Sequence, residues 1–281
     1  MGSSIDLHIH TTASDGSDSP AELAQKVAAA GLKVFSVTDH DTVDGALEME
    51  QLVPEGIRYI RGVEFSCTDP AGKCHILGYG YDPNHPAFQA AIQEGRQLRL
   101  EKMHLRVEQL RRDHSLELTK AEADWLWSRK SPGKPHLGKI IRDRGMADSI
   151  DGAIRGFVRD VPGRDRIGAE TAVRAIAASG GIPVWAHPLG GEGEKRLSQE
   201  KFEALLQALV SYGIRGMECH YSRYHDGEAA FLEKRARELD LAVTGGSDYH
   251  GTNKQGIELG VLGTETGDCT EKLNEFVDIL F

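Results

Sequence analysis

Ile5-Asp6-Leu7-His8-Ile9-His10, followed by the loop Thr11-Thr12-Ala13-Ser14-Asp15-Gly16, is the stretch that decides the fold. Side chains alternate sides along a strand, so His8 and His10 point one way while Leu7 and Ile9 point the other. Two imidazoles on one side of a strand can share a metal ion. A His-x-His by itself is explained at least as well by two hydrogen-bonded histidines at a surface or in a barrel. This one has company, because Thr38-Asp39-His40-Asp41, Gly62-Val63-Glu64, His75-Ile76-Leu77-Gly78, Ala186-His187-Pro188 and Gly246-Ser247-Asp248-Tyr249-His250 each mark the end of an apolar run. Six of the twelve histidines therefore sit at strand ends beside carboxylates, a placement that chance would not give.

Working outward, Val34–Thr38, Tyr59–Glu64, Cys74–Gly80, Ile182–Ala186, Gly216–His220 and Leu241–Thr244 join Ile5–His10 as short runs suited to buried strands, seven in all. Helical patterns separate most of them. Ser19-Pro20-Ala21-Glu22 combines a capping box with proline at the first helical position, and its helix should stop at Gly31. Thr171–Ser179 should end at Gly180-Gly181, Ser198–Tyr212 at Gly213, and Asp226–Leu239 follows the sixth strand. Alternating strands and helices with crossovers of this length imply parallel pairing, and in a parallel α/β barrel the loops leaving the C-terminal strand ends build the active site. The metal-type residues fall at such ends.

One interval breaks the rhythm. Asn84 to about Arg166 holds no strand-like run, and Pro86–Arg112 reads as a long helix carrying Arg96, Arg99, Lys102, Arg106, Arg111 and Arg112, for most of which a solvated face is the expected setting. The expected organisation is a barrel domain over 1–84 and 167–281, with a helical insertion over 85–166 capping its mouth. Within the insertion, Lys134 and His136 in Ser131-Pro132-Gly133-Lys134-Pro135-His136-Leu137-Gly138 could meet an anionic substrate from a Gly/Pro-rich turn, and a purely structural turn fits equally well. Trp125 and Trp127 could stack a base, although a small core for the insertion explains them more simply.

Composition narrows the function classes. With 281 residues and 40% hydrophobic content, the chain can bury a full core as one large domain, or one domain with an insertion. No apolar run approaches the roughly 18 residues that cross a bilayer, and no basic segment precedes an apolar stretch at the N-terminus, so no membrane association is expected. Cys67, Cys74, Cys219 and Cys269 lack Cys-x-x-Cys spacing and read as reduced thiols in a cytoplasmic protein. The net charge of −10 argues against a non-specific nucleic-acid binder, yet residues 85–166 hold 17 Lys+Arg against 12 Asp+Glu, a basic segment set into an acidic body.

The candidate ligands are His8, His10, Asp15, His40, Glu64, His75, His187, Asp248 and His250, nitrogen and oxygen donors with no thiolate. Nine are too many for one tetrahedral ion, so two or three divalent ions are expected, and mixed imidazole and carboxylate sites suit manganese, iron or zinc better than calcium. Clustered cations point to hydrolysis, with one lowering the pKa of water and another neutralising charge at phosphorus. Glu218 and His220 could extend this shell, with a supporting or pocket-wall role as the simpler reading.

His8-Ile9-His10 with Asp15-Gly16, Thr38-Asp39-His40, Gly62-Val63-Glu64, His75-Ile76-Leu77-Gly78, Ala186-His187-Pro188 and Gly245-Gly246-Ser247-Asp248-Tyr249-His250-Gly251 resemble, in order, the motifs of the PHP (polymerase and histidinol phosphatase) family. The resemblance implies a distorted seven-stranded (β/α)7 TIM-like barrel with a trinuclear site. It assigns His8, His10, Glu64 and Asp248 to one ion, Asp15, His40 and His250 to a second, and Glu64, His75 and His187 to a third. It also implies that His136 faces the substrate phosphate from the insertion. Where relatives carry Gly-Lys-Pro, this chain has Pro162-Gly163-Arg164-Asp165-Arg166, so Arg164 or Arg166 is a candidate phosphate contact, with a surface salt bridge to Asp165 or Asp160 as the milder account.

The expected activity is hydrolysis of a phosphomonoester by a metal-bridging hydroxide, the substrate being a small phosphorylated molecule of nucleotide type and foremost the 3′-phosphate of a nucleoside 3′,5′-bisphosphate. The alternatives are a 5′-3′ exoribonuclease on short RNA, a histidinol-phosphate-type phosphatase, and an inactive interaction module. No obligate protein partner is evident in the sequence.

Overall fold

A computed structural model describes residues 2–163, 166–191, 196–263 and 269–281. Eight strands are present among the described residues: β1 (Ile5–Ile9), β2 (Val34–Val37), β3 (Arg58–Asp69), β4 (Gly72–Tyr79), the two-residue β5 (Ile167–Gly168), β6 (Ile182–Ala186), β7 (Gly216–Tyr221) and β8 (Ala242–Gly246). They form one sheet in the order β1-β2-β3-β4-β6-β7-β8, with β5 set against β3. Beyond the end of β8 the sheet curls back onto β1, where the His10 amide donates to the Tyr249 carbonyl at 2.8 Å and the Asp248 amide to the His8 carbonyl at 2.8 Å. The chain is thus an α/β protein built on a nearly closed seven-stranded barrel, as its pattern predicts.

Pairing departs from expectation at one strand. β1, β2 and β3 run parallel, as do β6, β7 and β8, but β4 is antiparallel to both β3 and β6. Only Pro70 and Ala71 separate β3 from β4, and the Ala71 amide donates to the Asp69 carboxylate at 2.8 Å. A two-residue link closes a hairpin and cannot carry a parallel crossover. β3 accordingly runs five residues past Glu64. His75 lies in the first half of its strand rather than at its C-terminal end, and the reversal of β4 puts it level with Ser66 and Ala186.

The helices are α1 (Pro20–Ala29), α2 (Asp44–Met49), α3 (Pro86–His114), α4 (Lys120–Trp127), α5 (Lys134–Asp143), α6 (Ile150–Phe157), α7 (Ala169–Ala178), α8 (Gln199–Tyr212), α9 (Asp226–Glu238) and α10 (Thr270–Leu280). The Ser19/Glu22 capping box forms at α1, and α8 ends on Gly213 in the left-handed conformation. α2, α4, α6 and α10 were not expected. Lys134 and His136 do not lie on a turn: Pro135 falls in the first turn of α5, where its missing amide costs nothing.

Met103, Leu110, Leu126, Leu137, Ile140, Ile141 and Ala153 pack into a core of their own among α3 to α6. At its other end α3 is tied to the barrel, where Phe88, Ala91 and Ile92 join Phe65, Val173, Ile176 and Trp185. No described helix is long and apolar enough to cross a membrane, and all four cysteines are buried.

Candidate metal centre

β1 presents Asp6, His8 and His10 to the barrel interior. Asp6, fully buried, accepts hydrogen bonds from the amides of Ser247 and Gly260, both at 2.9 Å, and so holds the end of β8 against β1. The loop after β1 is organised by Asp39, which accepts from the amide and hydroxyl of Thr11 (2.8 and 2.6 Å) and of Ser14 (3.2 and 2.6 Å). That network places Asp15, whose Oδ1 is 3.3 Å from His250 Nε2 and 3.9 Å from His10 Nδ1.

Glu64, buried on β3, stands at the middle. Its Oε2 lies 3.2 Å from His8 Nε2, 3.2 Å from His10 Nε2 and 3.1 Å from His40 Nδ1, while its Oε1 lies 2.8 Å from His75 Nδ1 and 3.1 Å from His187 Nε2. Asp248 Oδ1 is 3.6, 3.4 and 3.4 Å from His8, His10 and His250. Two of the residues here adopt the left-handed region uncommon outside glycine, His187 with φ 28° and Asp248 with φ 58°.

Three overlapping donor sets emerge: His10, Asp15, His40 and His250; His8, His10 and Asp248; and His40, Glu64 and His75. These sets hold eight of the nine residues named from the sequence, and the ninth, His187, joins them through Glu64 Oε1 at 3.1 Å. His8 Nε2, His10 Nε2, His40 Nδ1, Asp15 Oδ1 and Glu64 Oε2 are buried with no hydrogen-bond partner. Three imidazole nitrogens ring one carboxylate oxygen at about 3 Å without hydrogen-bond geometry. Buried polar atoms are rarely left in that state, and a shared cation is what satisfies such a donor set.

Protonation preferences follow the charge pattern. Burial opposes the charged form of His10, but the carboxylates of Asp248 and Glu64 close to its Nε2 prevail and push it up to about 9. Burial, with the charges of His10 and Lys254, takes His250 down to about 4. Burial would raise the Asp248 carboxyl, yet Lys254, His8 and His250 hold it well below the usual range.

Support around the cluster was only partly foreseen. Glu218 on β7 accepts from His8 Nδ1 at 2.9 Å through one oxygen and from the His187 amide at 2.7 Å through the other. His220 instead faces Glu233, 2.9 Å away and apart from the cluster. Lys254 and the Tyr221 hydroxyl donate to Asp248 Oδ2 at 2.6 and 3.0 Å, and neither was singled out in the sequence. A lysine six residues past a ligand carries no periodic signal.

Above Asp15, His40 and His75 opens a cleft of about 460 Å³, walled by Arg99, Lys102, Arg106, Lys134, Arg155 and Arg166. This corrects the solvated reading of the basic helix for three side chains. Arg99 donates to Asp41 at 2.9 Å and to the Ser66 hydroxyl at 2.7 Å, Lys102 (4% exposed) donates to the Val161 carbonyl at 2.5 Å, and Arg106 is 8% exposed. The Arg99 head turns toward oxygens of the barrel, and the Lys102 head toward carbonyls at the end of the insertion. Lys134 faces Asp160 at 3.4 Å, and Arg166 Nη1 is buried without a hydrogen-bond partner. His136 is buried, accepts from the Gly133 amide at 2.9 Å, and lines a neighbouring cavity with Trp125. Arg164 lies outside the described residues.

Comparison with known proteins agrees with this geometry. Residues 6–135 match the model of the PHP domain. A 5′-3′ exoribonuclease from Haemophilus influenzae is 31% identical over 89% of this chain and 91% of its own. A 3′,5′-nucleoside bisphosphate phosphatase from Chromobacterium violaceum is 26% identical over 91% and 90%. A structure described as an amidohydrolase from Chromobacterium violaceum, with sulfate and no metal bound, superposes with a TM-score of 0.85 over 99% of this chain and 96% of that one; at 24% identity it speaks for the fold alone.

Proposed function

The chain belongs to the PHP family of metal-dependent phosphoesterases, and on that premise we propose that it removes the 3′-phosphate from a nucleoside 3′,5′-bisphosphate at the Glu64 cluster. The observation that carries the reading is a single buried carboxylate within 3.2 Å of five imidazoles, beneath a cleft walled by seven cationic side chains, Lys254 among them.

In this reading His8, His10, Glu64 and Asp248 hold one divalent cation, Asp15, His40 and His250 a second, and Glu64, His75 and His187 a third, with manganese, iron or zinc the fitting ions. Cations there supply Lewis acidity and a water of lowered pKa. The chain's own residues do the rest. Lys134 and Arg166 draw the substrate phosphates into the cleft, and His136, in the first turn of α5, lines the neighbouring cavity across Pro135. Residues 85–166 act as the insertion that caps the mouth of a barrel domain formed by 1–84 and 167–281, and the buried β-strand wall beneath the cluster excludes bulk water.

Glu218 orients His8. In Glu218→Gln the amide oxygen must face the fixed His187 N–H, which leaves the NH2 group against His8 Nδ1 and turns the imidazole to the tautomer whose Nε2 carries the proton. Metal affinity, followed by titration of the stripped protein, is expected to fall by about 10- to 100-fold.

The test of the function is a panel of histidinol phosphate, nucleoside 3′,5′-bisphosphates and 5′-phosphorylated short RNA, assayed with added Mn²⁺ and again after chelation. Release of phosphate from the bisphosphate, lost on chelation and restored by the cation, is the expected result. Hydrolysis of none of the three overturns the reading. The basic cleft favours a second substrate, short RNA, whose binding would fall steeply with salt.

A further inference from the structure

Resting on the phosphoesterase reading above, we propose that a second cavity, beside the metal cleft, binds the next nucleotide of a single-stranded oligonucleotide whose terminal phosphoester lies at the cluster. This cavity, of about 250 Å³, shares Pro135 and Asn253 with the cleft, so the two are neighbours across one proline. Consecutive residues divide between them: Lys134 lines the cleft and His136 the second cavity. The barrel contributes Ser17 and Asn253 to its wall, and the insertion contributes Trp125, Arg129 and Lys139.

The insertion's small core accounts for only part of Trp125, which packs against it without being enclosed by it. Leu126 beside it is fully buried among the insertion's apolar residues, whereas Trp125 is half-buried and keeps contact with the cavity. Its ring lies 5.5 Å from that of His136, and the Arg129 guanidinium sits 5.5 Å over it. Arg129, Lys139 and Arg142 bring positive charge, and no carboxylate is among the described residues that line the cavity. Asp143, at the edge, accepts from Lys139 at 2.5 Å and from Arg142 at 2.6 Å, but all three are solvent-accessible, and such pairs yield readily to a phosphate. An aromatic face with a guanidinium over it and solvent-accessible cations beside it is the equipment for one stacked base and the phosphate that follows it. In this arrangement the first nucleotide, base included, occupies the cleft, so a mononucleotide leaves the second cavity empty.

Calorimetric binding to the metal-loaded protein compares a 5′-phosphorylated trinucleotide carrying phosphorothioate linkages with the phosphorothioate analogue of a nucleoside 3′,5′-bisphosphate. The trinucleotide is expected to bind about tenfold tighter. That ratio should collapse toward one in Trp125→Ala and also in the double variant Arg129→Gln with Lys139→Gln, whose half-buried side chains are not part of the insertion's apolar core. Equal affinities in the parent protein, or a ratio unchanged in the double variant, overturn the proposal. Failure of the phosphoesterase reading shows separately, as absence of phosphate release from every phosphomonoester, because the affinity ratio is measured without turnover.

Discussion

Glu64→Gln is expected to lower phosphoester turnover by about three orders of magnitude or more while leaving the barrel folded. The side chain keeps its shape, so packing within β3 is preserved. Its charge is lost, and with it the one acceptor that reaches His8, His10 and His40 through Oε2, and His75 and His187 through Oε1. A neutral amide offers N–H donors to imidazole nitrogens that a cation needs as lone-pair donors, so the shared member between ligand groups becomes an obstacle. Burial works against ionising Glu64, and the positive charge of His40, His75 and His8 reverses that, holding the carboxyl well below its usual range. The same logic extends to His10→Ala and Asp248→Ala. Steady-state kinetics with saturating Mn²⁺, run beside a thermal melt and a metal assay, checks it. Near-parental turnover in a folded Glu64→Gln protein would remove the cluster from the chemistry.

Much of this site is legible in the chain because it depends on local rules. Alternation alone sends His8 and His10 to one side of β1, and both converge on Glu64. Apolar runs ending in His40, Glu64, His187 and Asp248 mark strand ends that the barrel brings together. His75 joined them for a different reason, since β4 runs the other way. The signal was present: nine residues between Glu64 and Cys74 are too few for a crossover helix, and Asp69-Pro70-Ala71-Gly72 is a turn sequence. The start of α5 was obscured by Gly133 and Pro135, which serve turns and first helical turns alike. The buried settings of Lys102 and Arg106 depend on the Val161 and Gly163 carbonyls and on the cleft, some sixty residues away for Lys102, and long-range partners leave no trace in composition. Nor does the double use of Glu218, which needs His8 and the His187 amide placed together in space.

Gly246→Ala should carry the largest structural effect, on the order of 3–5 kcal/mol. A Cβ at this position would stand 2.1 Å from His8 Cβ and 2.6 Å from the His8 nitrogen, far inside contact distance and against backbone rather than a movable side-chain tip. β1 and β8 cannot simply part to make room. The His10 and Asp248 amides cross between them at 2.8 Å, and Asp6 receives the Ser247 amide at 2.9 Å. Relief therefore requires breaking the closure of the barrel, with its hydrogen bonds, at the place where His8 and Asp248 meet. In urea the midpoint is expected to fall sharply with the slope unchanged, and metal affinity should fall with it because His8 moves. Gly156→Ala provides the contrast: that glycine lies in α6 with nothing within 4 Å of an added Cβ and an ordinary backbone angle, so alanine should stabilise by about 0.5–1 kcal/mol. A Gly246→Ala midpoint equal to the parent's would mean that the strands do not close through this contact, and that the alignment of His8 with Asp248 has another cause.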